Sequence, residues 1–351
     1  MRALARRRNC FAGYAIYYLY ASYFLRYGGG MTSRSGTRKP RRPALPANSA
    51  VRALAVLGDR WTLLILRDAF LGVRRFGEFE TRLGITPAVL ARRLVQLVAA
   101  GMLRRVQAAP GHVDYHLTPK GLDAYPVALM LLRWETRWFP ARAAIVLRHD
   151  VCGRVTTPCL TCGACGAEVH PRDVRYEDGP GAGLDPATAR RLRRPSISVA
   201  DNRATHRYLE HAADILGDRW SWEIIGGAFL ARRRFDEIQS QTGIASNILS
   251  ARLARLTRDG VLERRVYQER PPRHEYVLTS KGRHLYGAIV MLVRWGDRWL
   301  AGRRGPPLIL FHTPCGRPLD PRVICSACGG VLDAHEVSYE LADAAKSAPE
   351  S

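Results

Sequence analysis

Two stretches of the chain lay out apolar and polar positions in the same order. In Gly243–Val266, Ile248, Leu249, Leu253 and Leu256 recur at helical spacing, Ser246 stands where an N-cap belongs, and Asp259-Gly260 closes the helix. Val261, Leu262 and Val266 begin a strand, Arg270-Pro271-Pro272-Arg273 makes a turn, and His274–Leu278 supplies a second strand. Gly84–Val106 repeats the pattern. Gly84, Ile85, Leu90, Arg93, Leu94, Leu97, Gly101 and Leu103 return 159 positions later as Gly243, Ile244, Leu249, Arg252, Leu253, Leu256, Gly260 and Leu262. A period of that length marks duplicated domains and not a solenoid.

The repetition extends outward. In the first copy, Asn48 or Ser49 caps a helix over Ala50–Leu57, a very apolar helix covers Trp61–Phe70, and a third covers Phe76–Leu83. A helix over Thr86–Ala100 follows, then a hairpin of Leu103–Gln107 with Val113–Leu117, and Thr118-Pro119 opens a long helix to about Trp138. The second copy predicts helices over about Ala204–Leu216, Trp220–Phe229 and Phe235–Thr242, and a long helix over Ser280–Trp299. Trp134 and Trp138 return 161 positions on, as Trp295 and Trp299, because the second hairpin is two residues longer. Gly226-Gly227 replaces Arg67-Asp68 inside the second helix. Two helical glycines cost about 1 kcal/mol each against alanine, so the pair marks either a close contact or drift. Leu122, Tyr125, Leu129, Leu132 and Trp134 offer more apolar surface than one small domain has to cover, which either seals a dimer or fills an ordinary core.

The 351 residues hold two domains of ordinary size, and a hydrophobic content of 47% is globular. Of the formal charge of +23, residues 1–42 contribute ten Lys/Arg and no acid, which leaves +13 for the rest. That surplus favours an anionic partner, with nucleic acid the usual one; its bland source is codon bias, since only four of the 54 basic residues are lysine. Residues 1–47 read as a basic, disordered leader. The tyrosine-rich run before Met31 is short for a membrane span and lacks a cleavage site, so it reads better as a misassigned start than as an anchor.

The order of helix, LGDRW helix, RFxE helix, GI-to-G helix, hairpin ending in Tyr-x-Leu-Thr, and Trp-bearing helix resembles the HxlR-type winged helix-turn-helix family. Gly58, Trp61, Arg75-Phe76, Glu78, Gly84-Ile85, Leu90, Arg93-Leu94, Gly101, Tyr115, Leu117-Thr118 and Gly121 carry the likeness, and Gly217, Trp220, Arg234-Phe235, Glu237, Gly243-Ile244, Leu249, Arg252-Leu253, Gly260, Tyr276, Leu278-Thr279 and Gly282 carry it again. The resemblance implies bacterial transcription regulators that bind double-stranded DNA as dimers of one such domain. This chain carries two, so it is expected either to pair internally or to form a homodimer. Some family members sense oxidants through a cysteine near the first helix; here Asn48 and Ser49 stand there.

Helical phase assigns the reading residues. With Leu249, Leu253 and Leu256 inward, Asn247, Ser250, Ala251, Ala254 and Arg258 face outward, and asparagine can pair bidentately with adenine. In the first copy the outward face is Ala88, Ala91, Arg92 and Val95, with Arg92 suited to guanine. Arg93, Arg252 and Arg255 flank the apolar stripe and suit phosphates, as do Arg270 and Arg273 at the second turn.

Seven of the eight cysteines lie in two matched clusters, His149-x2-Cys152-x9-Cys162-x2-Cys165 and His312-x2-Cys315-x9-Cys325-x2-Cys328. Zinc takes four borderline or soft ligands in a tetrahedron, so each contiguous cluster is expected to fold as a ribbon around one zinc ion, two per chain. Cys159 is an extra thiol that could replace His149 or serve as a redox handle.

The expected fold is mainly α with small β-hairpins (α+β). Winged helix-turn-helix domains occupy 48–140 and 201–302, zinc-ribbon-like modules occupy 141–178 and 303–345, and 179–200 forms a linker. The expected function is a sequence-specific regulator of transcription in the cytoplasm, associated with the nucleoid, with no membrane partner and no catalysis. A metal or thiol redox sensor and a protein-interaction scaffold are the readings of another class.

Overall fold

The structure is a computed structural model and describes residues 45–140, 145–185 and 208–341. Residues 1–44, which hold most of the leader, and residues 141–144, 186–207 and 342–351 lie outside them. In the first repeat the helices are α1 (Ser49–Leu57), α2 (Arg60–Phe70), α3 (Phe76–Leu83) and α4 (Pro87–Ala99). The hairpin β1 (Leu103–Ala109) and β2 (His112–Leu117) follows, then the short α5 (Pro119–Leu122) and α6 (Tyr125–Trp138). Local chemistry sets these boundaries. Asn48 Oδ1 accepts from the amides of Ala50 and Val51 at 2.9 and 3.3 Å, and Asp59 Oδ1 accepts from Thr62 N at 3.2 Å. Leu90, Leu94 and Leu97 of α4 are buried against Ile65, Phe79 and Leu83 in one core.

After α7 (Glu210–Leu216), α8 (Arg219–Phe229) and α9 (Phe235–Thr242), the second repeat has α10 (Ser246–Arg258), the hairpin β7 (Leu262–Gln268) and β8 (Arg273–Leu278), α11 (Ser280–Arg283) and α12 (Tyr286–Leu300). Boundaries differ from the sequence reading in α7, which begins at Glu210, in α10 and in both long helices. Ala245, not Ser246, takes the N-cap position of α10; the Ser246 hydroxyl accepts from Gln239 Nε2 at 2.6 Å instead. Each long helix is broken into two, at Asp123-Ala124 and at His284-Leu285. In the first repeat the proline at the start of α6 has no N–H for the preceding turn.

The two repeats pack into one body. Trp134 Nε1 donates to the carbonyl of Lys281 at 2.9 Å, and Trp295 Nε1 donates to the carbonyl of Lys120 at 3.0 Å. Lys120 Nζ lies over the Trp295 ring and Lys281 Nζ over the Trp134 ring, at 5.5 and 5.6 Å. Asp59 and Asp218, equivalent residues, bridge each other in antiparallel fashion. These reciprocal contacts describe a pseudo-twofold relation. It is imperfect at the helix ends. Trp299 Nε1 donates to Asp123 Oδ2 at 2.8 Å, whereas Trp138 Nε1 meets His284 Nδ1 at 3.2 Å. The buried Glu135 carboxylate caps α7 by accepting from Ala212 N at 3.1 Å. Its counterpart is Gly296, where a Cβ would stand 2.3 Å from the Ser49 carbonyl oxygen, so glycine lets α1 lie directly on α12.

The Cys/His modules interleave instead of folding separately. β3 (Ile145–His149), β4 (Arg154–Thr156), β5 (Pro158–Cys162) and β6 (Val174–Asp178) belong to the first repeat; β9 (Leu308–His312), β10 (Arg317–Pro318), β11 (Pro321–Cys325) and β12 (Val337–Leu341) belong to the second. β3 pairs with β4 and with β12, and β9 pairs with β10 and with β6, so each module's last strand joins the other's sheet. β5 and β11 pair antiparallel with Leu160 opposite Val323. The start of the expected linker is not loose. Gly179 N and Gly181 N donate to the carbonyls of Pro307 and Pro306 at 3.0 Å each, and Leu184-Asp185 pairs with Leu45-Pro46.

Candidate nucleic-acid interface and metal centres

On α4, Ala88, Ala91, Arg92 and Val95 are exposed; on α10, Asn247, Ser250, Ala251, Ala254 and Arg258 are exposed. Leu249, Leu253 and Leu256 are buried beneath them, and Ile248 lies at the exposed edge. Arg270 and Arg273 are exposed at the tip of the second hairpin, and Arg264 and Arg265 are exposed along its first strand. The first hairpin exposes Arg104 and Arg105.

Three arginines expected on phosphates hold internal partners. Arg93 Nη2 lies 2.8 Å from Asp59 Oδ2 and Arg93 Nη1 lies 3.0 Å from Gln96 Oε1. Arg252 pairs with Asp218, and Arg255 donates to the Asp214 carbonyl at 2.9 Å while facing Asp259 at 3.6 Å. Burial pushes the Asp59 carboxyl above its ordinary range, and Arg93 draws it back. Because Asp59 and Asp218 bridge each other, the two pairs fasten both exposed helices to the pseudo-axis.

Lys120 and Lys281 do comparable work at the other end. Each ammonium donates to a carbonyl at the C-terminus of its own exposed helix, Ala100 and Asp259, at 2.9 Å. Each backbone carbonyl accepts the other repeat's tryptophan. Sequence reasoning missed these four anchors. The available signal was two of the chain's four lysines standing 161 positions apart in an arginine-rich protein.

The Cys/His ligand sets form across the repeats. His149 and Cys152 meet Cys325 and Cys328, while Cys162 and Cys165 meet His312 and Cys315. This corrects the contiguous grouping expected from spacing. The antiparallel β5–β11 pair carries each Cys-x2-Cys loop toward the other repeat's His-x2-Cys loop. His149 Nδ1 lies 3.2 Å from Cys328 Sγ, and Cys152 Sγ lies 3.9 Å from Cys325 Sγ. At the second site His312 Nδ1 lies 3.3 Å from Cys165 Sγ and 3.4 Å from Cys315 Sγ. A tetrahedral ion with ordinary Zn–S and Zn–N bonds has ligand–ligand edges of about 3.5–3.8 Å, so the donor sets fit one metal ion each.

The loops are shaped for thiolates. Gly153, Gly166, Gly316 and Gly329 all have positive φ, and Ala327 N and Gly330 N point at Cys325 and Cys328 sulfurs at 3.3 and 3.4 Å. Burial pushes the Cys325 thiol up, but the Thr156 hydroxyl and the amides of Ala327 and Cys328 outweigh it and bring it down to about 6. Cys159 Sγ is turned to the Thr157 carbonyl at 3.5 Å and belongs to neither set, so it does not replace His149.

The model of the HxlR-like helix-turn-helix matches residues 56–143 and again 215–304. The chain belongs to this family. The uncharacterized HTH-type transcriptional regulator Rv3095 of Mycobacterium tuberculosis is 39% identical over 145 residues, 41% of this chain and 92% of that protein. The solved structure of PA1607 is 42% identical, covering 25% of this chain and 63% of that one, with a TM-score of 0.25. That of PA1374 from Pseudomonas aeruginosa is 33% identical, covering 35% of this chain and 84% of that one, with a TM-score of 0.28. Among the described residues no helix is long and apolar enough to cross a membrane.

Proposed function

We propose that this HxlR-like chain is a transcriptional regulator that binds duplex DNA as its own pseudo-dimer, with two unequal reading heads. The observation that carries this is the pair of exposed helix faces, each anchored by an Asp–Arg pair to one pseudo-axis and flanked by an arginine-bearing hairpin. Helices so placed suit adjacent major grooves, and the hairpin arginines suit flanking phosphates. The test is selection of bound duplexes from a random pool, followed by light scattering of the complex. The reading expects two dissimilar half-sites with centres about 10 bp apart, or a multiple of that, and one chain per duplex. Two chains per duplex, or no enriched sequence, would sink it.

In this reading the metal is zinc, two ions per chain, held by His149, Cys152, Cys325 and Cys328 and by Cys162, Cys165, His312 and Cys315. Zinc would supply folding free energy and no chemistry, and no catalytic role is assigned to any residue. The crossed ligand sets favour one further reading, in which loss of metal on oxidation loosens the two repeats and changes DNA binding. Mild oxidation that releases zinc while operator affinity stays constant would remove it.

A further inference from the structure

Two equivalent clefts lie between the winged helices and the metal modules, and they differ in what fills them. The first is lined by Arg67, Phe70, Tyr125, Leu132, Ile145 and Tyr339. There the Arg67 guanidinium pairs with Asp68 at 2.8 Å, donates to the Tyr208 carbonyl at 2.8 Å and lies over the Tyr208 ring at 4.7 Å. In the second, Gly226 and Gly227 stand at the Arg67 and Asp68 positions, Trp222 replaces Leu63, and Glu223 replaces the fully buried Leu64. The space is correspondingly larger, about 790 Å³ against about 480 Å³, both figures including space open to solvent.

The glycines are not there for close packing. A Cβ built on Gly226 meets nothing within 4 Å, and one on Gly227 meets only the Arg232 side chain at 3.8 Å. Each glycine nevertheless costs about 1 kcal/mol within α8. That cost leaves room beside apolar walls, Phe229, Ile289, Val293 and Leu310, and beside polar side chains that include Trp222, Glu223, Arg232, Tyr176 and Tyr286. The Trp222 indole N–H is buried with no hydrogen-bond partner, Glu223 lines the wall, and the Tyr176 and Tyr286 hydroxyls meet at 3.1 Å. A buried donor without an acceptor is costly, and burying a carboxyl is costlier; Arg232 and Arg219 offset part of the Glu223 cost, and a bound molecule can offset more.

We propose that this second cleft is a binding site for a small, largely apolar aromatic molecule whose nitrogen head group donates to Glu223. The first cleft has Arg67 on its wall where the second has Gly226, and Leu64 where the second has Glu223, so it lacks both the room and the carboxylate that the head group needs. Desolvation pushes the Glu223 carboxyl up to about 7, with Arg232 and Arg219 drawing it back, and a cationic head group would draw it back further.

The test is calorimetric titration of the full chain, with no DNA present, using three probes: 2-naphthylmethylamine, 2-naphthamide and 2-naphthoate. The two nitrogen probes should saturate at one per chain, with the carboxylate at least tenfold weaker. Gly226→Leu should fill the space, abolish binding and leave the melting temperature unchanged or higher. Glu223→Gln should weaken the amine at least tenfold without unfolding the chain. Saturation at two per chain, tightest binding of the carboxylate, unchanged binding by Gly226→Leu, or no saturation by any probe would overturn the proposal. Because DNA is absent, none of these outcomes bears on the DNA-binding reading.

Discussion

Cys328 Sγ lies 3.2 Å from His149 Nδ1, although 179 residues separate them in the chain. Metal content can test that relation. Natively purified protein should carry two zinc ions. His149→Ala combined with Cys328→Ser should lose one ion, because both residues serve one site. His149→Ala combined with Cys165→Ser should lose both. Elemental analysis giving the reverse pattern would restore the contiguous ribbons.

The reciprocal tryptophan bonds should matter to stability. Trp134→Phe removes a donor and leaves the Lys281 carbonyl without it, so denaturant unfolding should show a loss of about 1–2 kcal/mol. Trp295→Phe should do the same through Lys120. A change within a few tenths of a kcal/mol in both would mean the bonds contribute nothing net.

Readout of sequence and grip on phosphate should separate. Asn247→Ala should relax the preference at one base pair and cost about 1–3 kcal/mol on the best duplex, with little effect on random DNA. Arg273→Ala should weaken both alike and lower the salt slope by about one unit. Equal melting temperatures would exclude a folding effect, and an unchanged selected consensus for Asn247→Ala would show that α10 does not read bases there.

Glu223 makes stability depend on pH in an unusual direction. Its carboxyl titrates near about 7 in the folded chain, above the ordinary value of 4.5. The folded state therefore holds the proton more tightly, and stability should fall as pH rises from about 4.5 through about 7. Glu223→Gln should flatten that part of the curve and gain about 1–3 kcal/mol at pH 8, with no gain at pH 4.5. A gain that is independent of pH would assign the effect to packing.

Much of the winged-helix architecture was legible because periodicity reports which face is buried: Leu249, Leu253 and Leu256 are inward, and the exposed set on α10 follows from them. The matched Cys/His spacing of the two copies gave the residues of the two clusters. Spacing could not give their grouping. Metal chemistry constrains four donors at a point, and nothing in a sequence says which knuckles the strands carry there. That depended on the exchange of β6 and β12 and on the β5–β11 register, both non-local. The internal partners of Arg93 and Arg252 were hidden for a related reason, since a flanking arginine reads the same whether its partner is a phosphate or the carboxylates of Asp59 and Asp218. The Gly226-Gly227 substitution was visible, but only the empty space around Gly226 told room from close contact.

From the exchange of last strands we expect the covalent link between repeats to be dispensable once folding is complete. A protease cut anywhere in 186–207 would leave two fragments, each holding half the ligands of both metal sites and one strand of the other's sheet. Such a nicked protein should migrate as one species until a chelator is added, and neither fragment made alone could close a metal site without a mate. Fusion of the halves places one of each diverged copy in every chain.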